Sequence, residues 1–385
     1  MKVTQNISRL YYLLKLYNLS FEELLSNINE GLKKPITKEE VFSNEIKLSH
    51  LKRIDKFFNK GLHYYLDPKA PEESKEASIF FRKQHFNSDL NIGSKKIVTH
   101  FEEFKISLSA IAKLADLELK RHFPVYKITD NPNLVANEIR KLLYPAFTNN
   151  LRDFLKSLIS KFAEHNILVF EFVETWNKKE KANIDGFFLS PNVIVLKRQQ
   201  RSFRREIFTL IHELAHFLLK EEEIEKVEYQ NMARKDLSKI ERWCNDFSYY
   251  FLVGNYLNEV EGIERADSKN DYQFDLIERI SDKTHLSQIA LFTRLLFRNK
   301  ISQYDYDKVK ADFDERFKEK QKEEERLKEQ AKLSGKKQKG STPQPIKSPL
   351  LVSTIQTAFY EGILTEFEVC KRLNIRAEKF DEYIQ

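Results

Sequence analysis

The stretch FRREIFTLIHELAHFLLKEEEIE, residues 203–225, sets His212 and His216 four positions apart with Glu213 beside the first. Histidines four apart on a helix project from one face, so both rings can reach one ion. The residue after the first histidine sits about 100° round the axis, placed to address water rather than to compete as a ligand. His-Glu-x-x-His therefore joins two metal ligands to one general base. Zinc takes nitrogen, sulfur and carboxylate ligands in a tetrahedron, and a catalytic site keeps one position for water. The surrounding Phe208, Leu210, Ile211, Leu214, Ala215, Phe217, Leu218 and Leu219 make the helix apolar on nearly every side, and polar groups buried there need partners.

A third ligand is required. Glu221, Glu222, Glu223 and Glu225 follow too closely to fold back and read as a solvated helix end. Glu241 opens ERWCNDFSYYFLVGNY, a helix whose apolar residues would pack on the histidine helix, and is the expected third ligand. Asn245, one turn on, is the expected acceptor for the far ring nitrogen of a ligand histidine; Asp246 is the alternative, pointing about 100° away. His285, Tyr249 and Tyr250 are conceivable donors to a tetrahedral oxyanion, with nothing to choose among them. An exposed edge strand within 186–196 is the expected docking line for an extended peptide, testable by proline at Val193 or Val195.

The elements that must position these residues start near Asp130. Pro132 suits the first turn of a helix carrying Val135, Ala136, Ile139, Leu142 and Leu143. A second helix, LRDFLKSLISKFAEH, leads into the strand-like NILVFEFVE. Two apolar runs flanking Ser190-Pro191-Asn192 then read as a hairpin. Helix, helix, strand, hairpin and helix make a predominantly helical α+β unit with a small antiparallel sheet.

Upstream, residues 1–67 read as short helices, two opened by the capping boxes Ser20/Glu23 and Thr37/Glu40, and the last running amphipathically to Asp67-Pro68. Eleven Lys/Arg stand against eight Asp/Glu there, which permits DNA contact without demonstrating it. Residues 68–130 form a connector, largely helical, and 131–257 the metal domain. Residues 258–333 form a helical module, 334–349 a flexible linker and 350–385 a last helical module whose second helix is capped by Thr365 and Glu368.

The chain of 385 residues carries 41% hydrophobic and 32% charged residues and a net charge of +7. No apolar run reaches the length of a bilayer span, so no membrane partner is expected. The N-terminus shows no secretory signal pattern. The two cysteines, Cys244 and Cys370, lie in apolar patterns, which fits a reducing, cytoplasmic compartment. The 30 phenylalanines and 16 tyrosines recur mostly at helical spacing, as core does, rather than as base-stacking platforms.

DGFFLSPNVIVLKRQQRSFRREIFTLIHELAHFLL followed by ERWCNDFSYYFLV resembles the ImmA/IrrE-type metallopeptidases. Glu241, Cys244, Asn245 and Phe247 fill that family's second pattern, with Cys244 replacing the more usual alanine. The resemblance implies a zincin-like (gluzincin-like) fold, one Zn²⁺ per chain held by His212, His216 and Glu241, and Glu213 as catalytic base. It implies a protein substrate, a helix-turn-helix repressor or antitoxin, whose cleavage releases stress-response, phage-defence or mobile-element genes. It also implies an Xre-like helix-turn-helix in residues 1–67 as a route to DNA, with Ser26-Asn27 in place of the usual turn. Two other functions keep the same residues: a DNA-binding regulator with a structural or vestigial metal site, and a protease toxin of a toxin–antitoxin pair.

Overall fold

The computed structural model describes residues 1–74, 77–83, 89–174, 181–198, 202–224, 237–265, 273–333 and 344–384. Glu225 and most of the expected linker, residues 334–343, lie outside them. The chain divides into two compact units, one from Met1–Leu114 with Asn177–Ile184, the other from Ala115–Trp176 with Asp185–Gln385. Among the described residues no helix is long and apolar enough to cross a membrane.

The first unit runs β1 (Lys2–Thr4), α1 (Ile7–Leu16), α2 (Phe21–Asn29), α3 (Lys38–Val41), β2 (Glu45–Lys47), α4 (Leu48–Phe58), α5 (Leu62–Leu66), α6 (Ile79–Arg82) and α7 (Ile92–Leu114). Both capping boxes form, at the starts of α2 and α3. The amphipathic run before Asp67 breaks in two, because Asn59 at φ 54° and Gly61 at φ 82° end α4 in left-handed backbone. Short strands β1 and β2 pair antiparallel through Val3 and Ile46, which the helical pattern did not suggest. Ser26 and Asn27 lie inside α2, residues 30–37 separate it from α3, and α3 is four residues long. A helix-turn-helix needs two helices joined by a three- or four-residue turn, and α2 and α3 are not so joined.

The second unit runs α8 (Pro132–Leu143), α9 (Leu151–Glu164), β3 (Leu168–Phe172), β4 (Gly186–Leu189), β5 (Val193–Lys197), α10 (Phe203–Leu219), α11 (Lys239–Val253), α12 (Leu257–Glu261), α13 (Phe274–Thr284), α14 (Gln288–Phe297), α15 (Gln303–Leu333), α16 (Pro349–Tyr360), α17 (Glu366–Leu373) and α18 (Asp381–Ile384). The molecule is a predominantly helical α+β protein. Asn131 caps α8, with Pro132 at its first position; Val135, Ala136, Ile139 and Leu143 face the core, whereas Leu142 is 48% exposed.

The sheet order is β3-β5-β4. β4 and β5 form the expected antiparallel hairpin, but β3 pairs parallel to β5, with Val169 opposite Ile194. The sheet is therefore mixed, because β3 returns through a long excursion rather than a tight turn. β5 is thus internal. Val193 and Val195 present no free edge, which corrects the docking line expected at 186–196. Among the described residues β4 alone has an unpaired side there, and its Phe187, Phe188 and Leu189 are fully buried. At its end, the Ser190 N–H donates to Glu222 Oε1 at 2.7 Å.

The core gathers α8, α9, α10, α11 and the sheet through Phe154, Phe162, Phe188, Phe208, Phe217 and Phe247. The C-terminal segment joins it. Ile346 lies in the same cluster, its N–H donates to Glu171 Oε2 at 2.5 Å, and α16 packs on α9. The Thr365/Glu368 capping box opens α17.

Candidate metal centre

α10 is fixed at both ends. Ser202 Oγ accepts the Arg205 N–H at its start, supplying one of the partners a helix N-terminus lacks. In the first turn, Glu206 takes both its oxygens to Arg198 at 2.8 and 2.7 Å, tying the helix to the end of β5. At the far end Lys220 adopts φ 58°, and Arg121 donates to the carbonyls of Phe217 and Leu218, a cation where the helix dipole favours one. The helix is buried from Glu206 to Leu219.

α11 begins at Ser238, whose hydroxyl accepts the N–H of Glu241 itself at 3.1 Å. Trp243 Nε1 donates to Asp130 O at 2.8 Å, and α11 packs along α8 and α10. These contacts bring Glu241 to the histidines. His212 Nε2 and His216 Nε2 face each other at 3.2 Å; Glu241 Oε2 is 3.2 Å from the first and Oε1 3.1 Å from the second. All three residues are buried, and their ligand atoms form the cluster of metal-ligand type found among the described residues.

A tetrahedral ion with bonds of about 2.0–2.1 Å sets its ligand atoms roughly 3.3 Å apart. The two ring nitrogens, and each ring nitrogen with the Glu241 oxygen nearest it, stand within about 0.2 Å of that separation. Burial would push the Glu241 carboxyl up, but the facing His216 and His212 outweigh it and hold it ionised. Burial lowers His212, against the pull of Glu241. Burial also works to lower His216, but Cys244 and Glu241 outweigh it and raise that ring. An anion and two ring nitrogens facing one point form a cation site. The residues fit a divalent ion.

The other expected residues divide. Glu213 is 3% exposed, and its stem packs beneath β4: a Cβ on Gly186 would stand 3.2 Å from Glu213 Cγ, 2.8 Å from Thr209 Cγ2 and 3.1 Å from Val195 O. Asn245 is buried beside His212 and biases it toward the protonated form, yet neither Asn245 Oδ1 nor His212 Nδ1 closes a well-formed hydrogen bond. Asp246 turns away to Arg294, 2.6 Å distant. His285 bonds Thr148 O through Nε2 at 2.8 Å and stacks on Phe147. Tyr250 OH accepts from Arg294, and Tyr249 lies under the same guanidinium. The contacts of these three lead away from the cluster. Cys244 is fully buried and is not one of the three clustered ligand residues.

Residues 162–256 match the family model of the IrrE N-terminal-like domain, Peptidase M78. Over those residues the chain is similar to an IrrE N-terminal-like peptidase domain. That span runs from the end of α9 to just past α11 and includes His212, Glu213, His216, Glu241 and Asn245. It agrees with the ImmA/IrrE resemblance of the sequence motifs. No curated protein and no solved structure matches the chain. Two contributors escaped the sequence reading. Gly186 had a signal only in hindsight, as a glycine opening a strand; Arg294 had none.

Proposed function

We propose that this protein is a zinc-dependent endopeptidase acting in regulation. His212, His216 and Glu241 hold the ion, and Glu213 is the base. The observation that carries the reading is the convergence of His212, His216 and the two oxygens of Glu241 at 3.1–3.2 Å, buried within the segment that matches the peptidase model. Two imidazoles and a carboxylate suit zinc. A zinc held there supplies Lewis acidity, acidifying water and polarising the scissile carbonyl.

The chain's own residues do the rest. Glu213, one position past a ligand and braced under Gly186, takes a proton from the attacking water and delivers it to the leaving amine. The apolar wall of α10 and α11 keeps bulk water out and strengthens charge interactions inside. The substrate we infer is a protein, a helix-turn-helix repressor or antitoxin; what supports this is the family resemblance of the motifs.

The test pairs wild type with Glu213→Gln. Each is assayed for metal by elemental analysis and incubated with the helix-turn-helix protein encoded beside its gene. About one zinc in both, with a discrete cut by wild type alone, is expected. A wild type without metal, or a Glu213→Gln variant that cuts at the wild-type rate, defeats the reading.

A further inference from the structure

α13 and α14 are joined by three residues. His285 sits at φ 59°, Leu286 is buried, and Ser287 caps α14. This is the connection of a helix-turn-helix, whose second helix must be free to enter a groove. Here it is not free: Ala290, Leu291, Phe292, Thr293, Arg294 and Leu295 are all buried. α14 spends its surface on the protein, and Arg294 shows on what.

Arg294 is 4% exposed. One guanidinium nitrogen donates to Asp246 Oδ1 at 2.6 Å, another to Tyr250 OH at 2.5 Å, and its carbon stands 4.5 Å from the Tyr249 ring centre. All three partners are on α11, the helix that carries Glu241. Counted from Glu241, Asp246 is about 140° round the axis and Tyr250 about 180°. Tyr249 is about 80° round, so the guanidinium's two hydrogen bonds, though not its ring contact, grip α11 on the side away from the ligand.

We propose that Arg294 is a positioning residue of the metal centre, setting the rotation of α11 that brings Glu241 to His212 and His216. The proposal rests on that cluster being a metal site. A side-chain tip lies about 5–6 Å from a helix axis, so a rotation of about 20° carries it about 2 Å, enough to lose a bond to an ion. Packing against α8 resists separation of the helices; a planar donor fork held by two partners resists rotation.

The test is zinc affinity of the full chain, measured by competition with a chromophoric chelator, together with the visible spectrum of the cobalt-loaded protein. Removing one partner of a buried ion pair destabilises because the other charge is left uncompensated, but Asp246 keeps 32% of its side chain exposed to water. Arg294→Met is therefore expected to melt near wild type without metal, to bind zinc about tenfold more weakly and to shift the cobalt spectrum. Arg294→Lys is expected to fall between. A folded Arg294→Met with wild-type affinity and spectrum overturns the proposal while leaving the metal centre intact. Should that variant not fold, Asp246→Asn decides: weaker zinc binding with a shifted spectrum supports the grip, and wild-type values overturn it. A wild type that binds no zinc overturns both the grip and the centre.

Discussion

Gly186 lies directly against Glu213. A Cβ at this position would meet Thr209 Cγ2 at 2.8 Å and Glu213 Cγ at 3.2 Å, with Val195 O at 3.1 Å. The first residue of β4 thus sets the height of the glutamate proposed as base. Gly186 keeps an ordinary strand conformation, so the requirement for glycine there is close approach, not backbone freedom.

Gly186→Ala must push back the Glu213 stem or part β4 from α10. Displacing a catalytic group by about 1 Å costs up to 100-fold. The expected result is kcat lower by about 10- to 100-fold with zinc content unchanged. Steady-state kinetics beside elemental analysis checks it, and a variant with wild-type kcat removes Gly186 from the argument.

Ser238 holds the N–H of the ligand residue itself. Ser238→Ala deletes an N-cap worth about 1 kcal/mol and frees the first turn, where Glu241 sits. A lower melting temperature and weaker zinc binding are expected together. Thermal melts with and without zinc separate the two effects, and the gap between them should narrow in the variant.

Glu171 gives the fold a pH dependence away from the metal. Burial pushes its carboxyl up to about 7, partly offset by the Ile346 N–H it accepts, with nearby Glu206 raising it and Arg198 lowering it. The folded state holds this proton more tightly than the unfolded chain does. The stability it contributes is therefore complete at low pH and is lost as pH rises from about 4.5 to about 7. The loss is on the order of 3 kcal/mol. Glu171→Gln keeps an acceptor for Ile346 without the charge. It should melt higher than wild type at pH 8 and flatten the profile between pH 5 and 8. Parallel profiles for the two proteins would count against this account.

What the sequence determined by itself is what chemistry and local periodicity determine. The i, i+4 pair His212 and His216, the neighbouring Glu213 and the capping boxes at Ser20, Thr37 and Thr365 all depend on atoms within one helical turn. Any chain with those residues in a helix presents them that way. The amphipathic faces of α8 and α9 were legible for the same reason. So was the hairpin of β4 and β5, since two apolar runs around a proline turn leave few other pairings.

Tertiary structure decided what links distant positions. The spacing between Val169 and Ile194 carries no sign that β3 joins β5 in parallel, and that pairing is what makes β5 internal and denies Val193 an edge. Aromatic spacing around Tyr250 and His285 did not reveal that the Tyr250 hydroxyl and His285 Nε2 are taken up by Arg294 and Thr148. A helical boundary failed where a single residue took left-handed backbone, as at Asn59. Contacts such as Arg294 to Asp246 or Gly186 to Glu213 follow from how layers settle to exclude water. Packing density rewards the whole arrangement rather than any one pair, so a linear pattern holds no record of them.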